Sequence, residues 1–370
     1  MKKNKICWIT STYLLDVDLP IVPSLQKEFN IDWIILTTSH NHDSDRALIE
    51  KTKCGNYNLV DDDQLFVLPQ KAIFYFRLLS KLKKNKYDLF YLDFLGMPYF
   101  IPLVSFMLPK KHVIIAAHNV KTPKGARYYW MAKPYMDYIV KVYRNFQVFS
   151  INQLDLLKSL NSKANILYAP LCLKDYGKPT VEKDRLPITF LFFGNIVEYK
   201  RVDLLLEATR LLEKKGVADF KVQISGYCRH DKWDSKYAPL MKGLKNVSID
   251  IRRIPNEEIP NLFEKSHYFV MPYQDIAQSG AMTVALYYNI PIIASELETF
   301  KEFMNGVNDG YFFQMGSAVK LAETMLKAIE EYNTRYTNMR ICQAKLVKEK
   351  LSTDAILNQY RQYIDKLCHI

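Results

Sequence analysis

Short apolar, β-rich runs alternate with helical stretches along this chain, and the alternation occurs twice. The first series runs KICWITST, a helix from about Leu19 to Phe29, DWIILTTS, a helix near 71–84, DLFYLDFL, a helix near 99–108, HVIIAAHN, a helical region over Tyr128–Tyr143, then NFQVFSI and NILYAPL. The second begins with ITFLFFGN (188–195) and continues with a helix over Val202–Lys215, FKVQISGY (220–227), VSIDIRRI and a short helix at Asn256–Lys265. It then runs through HYFVMPY, a helix around Met282–Tyr288, PIIAS, a long helix near Ala318–Tyr332 and amphipathic turns from Thr353 to Leu367. Strands separated by helices build parallel βαβ units, so the expected fold class is α/β with two doubly wound Rossmann-like domains. The charged, Pro-containing segment Lys174–Pro187 reads as a linker. Expected domain limits are 1–178 and 179–350, with a last helix over 351–370 that could cross back to the N-terminal domain. Ligands of such folds sit outside the carboxyl ends of the strands, so the two domains are expected to face a central cleft.

A length of 370 residues is long for one compact domain, and 49% hydrophobic against 24% charged residues excludes a disordered or low-complexity chain. Six Cys, at 7, 54, 172, 228, 342 and 368, contain no CxxC pair, which argues for reduced thiols in a cytosolic compartment rather than a zinc ribbon or a disulfide framework. The basic start Met-Lys-Lys-Asn-Lys is followed by Thr- and Ser-containing residues without a long apolar core, so a buried first strand is expected there, not a signal peptide. Phe94–Pro109 is uncharged for 16 residues. That is short of the roughly 20 that span a bilayer, and Pro98 and Pro102 interrupt it, so a strand end followed by a buried helix is the better reading.

The formal charge of +12 is uneven. Residues 1–180 hold 25 Lys plus Arg against 15 acids, and residues 181–370 hold 26 against 24; between Gln64 and Ser150 there are 14 basic and 3 acidic side chains. Within that stretch, Lys71–Asp88 places Ile73, Phe74, Phe76, Leu78, Leu79 and Leu82 beside Arg77, Lys81, Lys83, Lys84 and Lys86. The pattern suits a basic amphipathic helix over Lys71–Lys86 that could lie on an anionic membrane surface, or a solvated outer helix packed on its own sheet. No nucleic-acid-binding motif accompanies the basic residues, so no nucleic-acid partner is expected. Asp61-Asp62-Asp63 reads as a solvated polar loop, and no metal site is expected.

From Phe190, FLFFGNIVEYKRVDLLLEATRLL resembles the opening of the C-terminal domain of GT-B glycosyltransferases, particularly retaining enzymes of glycosyltransferase family 4. QISGY, IPNEEIPNLFEKSHYFVMPY and QSGAMTVALYYNIPIIASELETFKEFMNGVNDGYFF match later parts of that domain in order. HVIIAAHNV and FQVFSINQLDLL resemble the family less sharply in the N-terminal half. The resemblance implies a hexosyltransferase-type enzyme. It would move a sugar from a nucleotide-sugar donor to a polysaccharide, glycan or lipid-linked acceptor, with retention; the cysteine usage and the basic Lys71–Lys86 stretch place it in the cytoplasm, peripheral on the inner face of the membrane, as an expectation. It implies no cofactor beyond the nucleotide-sugar co-substrate, with UDP or GDP undetermined.

The residues themselves support a phosphate site. Gln278-Ser279-Gly280 directly precedes a helix, where free backbone amides, a hydroxyl and a glycine accommodate phosphate oxygens; an ordinary N-cap is the alternative. Lys200 could place a cation on a diphosphate leaving group, with Arg201 beside it. By the resemblance, Gly194, Asn195, Gly226, Arg253, Ile254, Ala281, Met282 and Glu302 join the donor site, while His118 and Asp275 are further catalytic candidates. Three departures stand out. Asn195 and Val197 occupy positions where the family carries an Arg, and Arg201 stands where it has Gly. Ile276 and Val284 replace its paired carboxylates, so a catalytically degenerate glycan- or partner-binding module is the alternative function.

Overall fold

The computed structural model describes residues 3–52, 54–63, 69–122, 128–184, 186–306 and 308–368. Lys124 and Arg127 of the basic stretch, Arg185 of the expected linker and Val307 of the last matched run lie outside the described residues. The chain divides into two compact units, Met1–Cys172 with Thr353–Ile370, and Leu173–Ser352.

The first unit is built on a seven-stranded parallel sheet: β1 Lys5–Ser11, β2 Asn30–Thr37, β3 Tyr57–Asp61, β4 Leu89–Asp93, β5 Val113–Ala116, β6 Asn145–Val148 and β7 Asn165–Tyr168. Their order is β3-β2-β1-β4-β5-β6-β7. The strand order reverses between β1 and β4, where Thr10 pairs with Asp93. β4 is buried at every position because both faces of the sheet are covered, as parallel sheets require. One face carries Tyr75, Leu79, Phe100, Val104 and Ile139 from three helices; the other carries Leu25 with Ile356, Tyr360 and Ile364 of the helix Thr353–Cys368. That last helix is pinned by polar contacts too: Gln147 Nε2 donates to the Tyr360 hydroxyl at 2.5 Å and Tyr363 donates to the Asn165 carbonyl at 2.7 Å.

The second unit has six parallel strands: β8 Ile188–Phe193, β9 Phe220–Ser225, β10 Val247–Asp250, β11 Tyr268–Met271, β12 Ile292–Ser295 and β13 Gly310–Phe313. They are ordered β10-β9-β8-β11-β12-β13, with the reversal between β8 and β11. The helix Val202–Lys214 buries Leu204, Leu205, Ala208 and Leu212, the i, i+4, i+8 stripe expected of a helix packed on a sheet.

Several local expectations are corrected. Of the helix expected over Leu19–Phe29 only the single turn Val22–Leu25 forms, with Pro23 in its first turn where the missing amide is tolerated; Pro20 lies in the break between it and the preceding turn Leu15–Asp18. VSIDIRRI pairs only over Val247–Asp250. Lys174–Pro187 is not a loose linker: Tyr176 and Gly177 bind the Tyr288 hydroxyl, Thr180 binds Asn261, and Lys183 donates to the carbonyls of Glu264 and Ser266. Nor is Asp62 a solvated loop residue, since it accepts from Tyr75 and pairs with Lys71, both buried on the helix Pro69–Lys83. The buried face of that helix is Lys71, Tyr75, Leu79 and Leu82, which leaves Ile73 and Phe76 exposed beside Arg77, Lys81 and Lys83.

Candidate active site

In the second unit the carboxyl ends of β8 and β9 meet at two glycines. Gly194, at φ +113°, donates its amide to the Ser225 carbonyl at 3.0 Å. Gly226, at φ +149°, approaches so closely that a Cβ there would lie 2.0 Å from the Gly194 carbonyl oxygen. Both backbones occupy a region that side-chain-bearing residues avoid, and the absence of two Cβ atoms opens the strand ends.

The chain leaving Gly194 turns back through Glu198–Lys200 into the helix Val202–Lys214. Lys200 is 9% exposed. Its Nζ lies 3.3 Å from where a Cβ on Gly194 would stand, and 5.3 Å above the Tyr273 ring. Its ammonium makes no hydrogen bond or ion pair to any described residue, and burial pulls its pKa down to about 8. The aromatic ring offsets part of that desolvation, but a buried cation without a carboxylate remains costly.

The helix Gly280–Tyr287 points its first turn at the same place. Ser279 is its cap, extended at φ −135°, with Oγ accepting from the Met282 amide at 3.2 Å. The Ala281 Cβ stands 4.0 Å from the Cβ position of Gly194. Gly194, Gly226, Lys200, Ser279, Gly280 and Ala281 are thus brought together by three backbone turns, at the reversal in strand order where doubly wound sheets bind ligands. A cation, two glycine turns and a helix start suit a phosphate group.

The other expected site residues are placed differently. Arg201, at φ +50°, spends its guanidinium on Asp203, with contacts of 2.8 to 3.1 Å. Met282 and Ile254 are buried apolar side chains, whereas Asn195, Arg253 and Asp275 are exposed. Ile276 and Val284, at the positions of the family's carboxylates, pack with the core of the unit. Glu302 lines a groove with Met304, Asn305, Phe312 and Lys350, none of which belongs to the Lys200 cluster. Gln278 immediately precedes the Ser279 cap.

In the first unit His118 follows β5 and its Nε2 lies 2.6 Å from Asp93 Oδ1, with its ring stacked 4.4 Å from Phe149. Behind it, buried Asp18 accepts from Trp8 Nε1 at 2.8 Å and from Thr10, and burial together with the Asp93 charge pushes the Asp18 carboxyl well up. Sequence reasoning missed Asp93, although it closes the run DLFYLD at a strand end, and missed Asp18, which lies in the turn after β1. The Lys174 Nζ stands 3.2 Å from where a Cβ on Gly280 would be. Among the described residues, no group of three or more His, Cys, Asp or Glu could hold a metal ion.

Comparison with known structures defines the fold as GT-B, the two-Rossmann architecture of a class of glycosyltransferases. A glycosyltransferase from Rickettsia africae superposes with a TM-score of 0.76 at 14% identity, covering 99% of both chains. HepE from Anabaena, in complex with UDP and glucose, gives 0.73 at 12% identity over 98% of this chain and 100% of its own. A sucrose-phosphate synthase from Thermosynechococcus elongatus gives 0.74 at 12% over 99% of both. Residues 178–341, within the second unit, match the family model described as glycosyl transferases group 1. No curated protein matches the chain.

Proposed function

We propose that this chain transfers a hexose from a nucleotide diphosphate sugar to a polysaccharide, glycan or lipid-linked acceptor, with retention and without a metal. The observation that carries the reading is Lys200, a buried cation with no carboxylate partner among the described residues, set beside two glycine turns and a capped helix start. A diphosphate leaving group supplies the missing countercharge. Lys200 and the amides after Ser279 would stabilise the charge that grows as the glycosidic bond breaks. Among the described residues no carboxylate pairs with Lys200, so departure assisted by the phosphate fits better than a covalent glycosyl-enzyme intermediate. His118, oriented by Asp93, and Asp275 are assigned to the sugar and acceptor hydroxyls. HepE, crystallised with UDP and with UDP-glucose, makes UDP the first donor nucleotide to test, with GDP second.

The pKa of Lys200 makes this testable by titration. In the free protein the ammonium loses its proton near pH 8, and a bound diphosphate favours the charged form, raising that value. Affinity for UDP or GDP is therefore expected to be constant from pH 7 to 8, then to fall about tenfold per pH unit until the bound-state pKa is reached. Lys200→Met should flatten the profile. That control separates Lys200 from Lys183, also held near 8 by burial but bonded to backbone carbonyls. A wild-type profile without a step above pH 8 would contradict the assignment.

A peripheral place on an anionic membrane also belongs to the proposal. Ile73 and Phe76 project from the helix Pro69–Lys83 beside Arg77, Lys81 and Lys83, an apolar-and-basic face of the kind that enters headgroups. Among the described residues no helix is long and apolar enough to cross a membrane. Replacing Lys81, Lys83, Lys84 and Lys86 by Gln should weaken binding to phosphatidylglycerol vesicles by at least about tenfold. Equal binding would return the face to ordinary solvation.

A further inference from the structure

We propose that Tyr273 is a positioning residue for Lys200: together with Phe192 it forms an aromatic seat that holds the ammonium in place of a carboxylate and leaves its charge to the donor diphosphate. This role rests on the donor reading given above and deepens it. Phe192 lies near the end of β8 and Tyr273 follows β11 by two residues, and the two strands are neighbours in the sheet. Both rings are fully buried, with centroids 6.4 Å apart and planes at 61°. The Lys200 Nζ lies 5.3 Å from the Tyr273 centroid and 6.0 Å from that of Phe192, so the ammonium stands over both rings. Hydrogen bonds tie this seat to the Lys200 loop. The Gln274 amide donates to the Tyr199 carbonyl at 2.7 Å, linking the residue after the ring to the residue before the cation. Ser295 Oγ donates to the Tyr273 carbonyl at 2.5 Å, and the Tyr199 ring stands at 90° to the Tyr273 ring with centroids 6.1 Å apart.

A carboxylate in this place would neutralise Lys200 and repel an incoming anion, whereas a neutral ring does neither. The acids of the surrounding elements are engaged elsewhere or exposed: Glu198 pairs with Lys236 at 2.9 Å, Asp203 with Arg201 at 2.8 Å, and Asp275 is exposed. Burial pushes the Tyr273 phenol far above its usual range, so the ring stays uncharged. Burial is also what lowers Lys200 to about 8, and the negative faces of the two rings oppose that fall. The seat supports the charged form in the free and in the nucleotide-bound protein alike. Weakening it should therefore lower the Lys200 pKa, and with it nucleotide affinity near pH 8, while leaving affinity unchanged at lower pH, where the lysine is fully charged in either case.

The test replaces Tyr273 in the full chain by phenylalanine and by trifluorophenylalanine, which keeps the ring's shape but withdraws electron density from its face, with melting curves as fold controls. Lys200 is titrated by NMR of isotope-labelled lysine side chains, its signal identified by its loss in Lys200→Met, and UDP and GDP binding is measured by calorimetry near pH 6 and at pH 8. Tyr273→Phe should titrate and bind like wild type. The fluorinated ring should lower the Lys200 pKa by about one unit, the size of a desolvated cation–π contact, and weaken nucleotide binding about fivefold at pH 8 with no change near pH 6. Lys183, also near 8 but bonded to a backbone carbonyl, should keep its titration in every variant. A Lys200 titration that fluorination does not move, or an equal loss of affinity at both pH values, overturns the proposal and leaves Tyr273 a packing residue, although the donor reading stands. If the wild type binds neither UDP nor GDP, the donor reading fails and the role of the seat fails with it, even where fluorination moves the Lys200 titration.

Discussion

Lys200→Met is expected to lower sugar transfer by about a hundredfold to a thousandfold, the range seen when one preorganised group facing developing charge is removed. The same variant should melt at or above the wild-type temperature at pH 7, a pairing that an ordinary structural lysine would not produce. Burial lowers the pKa of Lys200 from 10.5 in the unfolded chain to about 8 in the folded protein. The folded state thus disfavours the charged form. That penalty is fully present below pH 8 and disappears as pH rises from about 8 towards 10.5, because there the unfolded chain binds the additional proton. Methionine fills a similar volume without the charge, so the unliganded fold loses a destabilising group while the enzyme loses its leaving-group cation. Thermal melts with and without nucleotide check both halves. A Lys200→Met protein that turns over like wild type removes Lys200 from the mechanism, and one that melts far lower makes it structural.

Gly226→Ala carries the largest expected structural effect. The new Cβ would stand 2.0 Å from the Gly194 carbonyl oxygen and 3.0 Å from its amide nitrogen, at φ +149°. Neither neighbour is a flexible side-chain end, so the ends of β8 and β9 must separate, breaking the bonds from Gly194 N to Ser225 and from Gly226 N to Asp250. A loss of at least about 3 kcal/mol follows from overpacking at a strained backbone position. Chemical denaturation measures it, and nucleotide binding should vanish even where the fold survives. Gly216→Ala is the control: at φ +79° it also carries strain, but nothing lies within 4 Å of its Cβ position, so its cost should be confined to the backbone term.

The two Rossmann-like folds were legible because their strands are nearly continuous apolar runs. KICWITS, DLFYLD and ITFLFF are buried on both faces, and apolar runs of that kind punctuated by helices admit few arrangements. β3 escaped notice because Tyr57–Asp61 sits at the sheet edge with no buried residue and a polar pattern. The two short turns after β1 were not legible as such, although Pro20 lies in the break between them. At the candidate site, residues close in sequence to glycine turns were legible: Gly194, Lys200 and Ser279-Gly280 each lie within a few positions of a strand end or helix start. Asp93 was not, because it gains its meaning from His118, a partner far away in the chain. Arg201 shows the opposite failure. Its place in the sequence suggests a phosphate ligand, but Asp203, two residues on, holds its guanidinium.

The most direct test of the central claim is turnover of a panel of UDP- and GDP-hexoses by the purified full chain, read as released nucleoside diphosphate and by the anomeric configuration of the transferred sugar. The account predicts slow hydrolysis or transfer with at least one donor, retained configuration in the product, and loss of release in Lys200→Met. Absence of both nucleotide release and thermal stabilisation across the panel would contradict it and favour a GT-B protein that binds a glycan or a partner without catalysis.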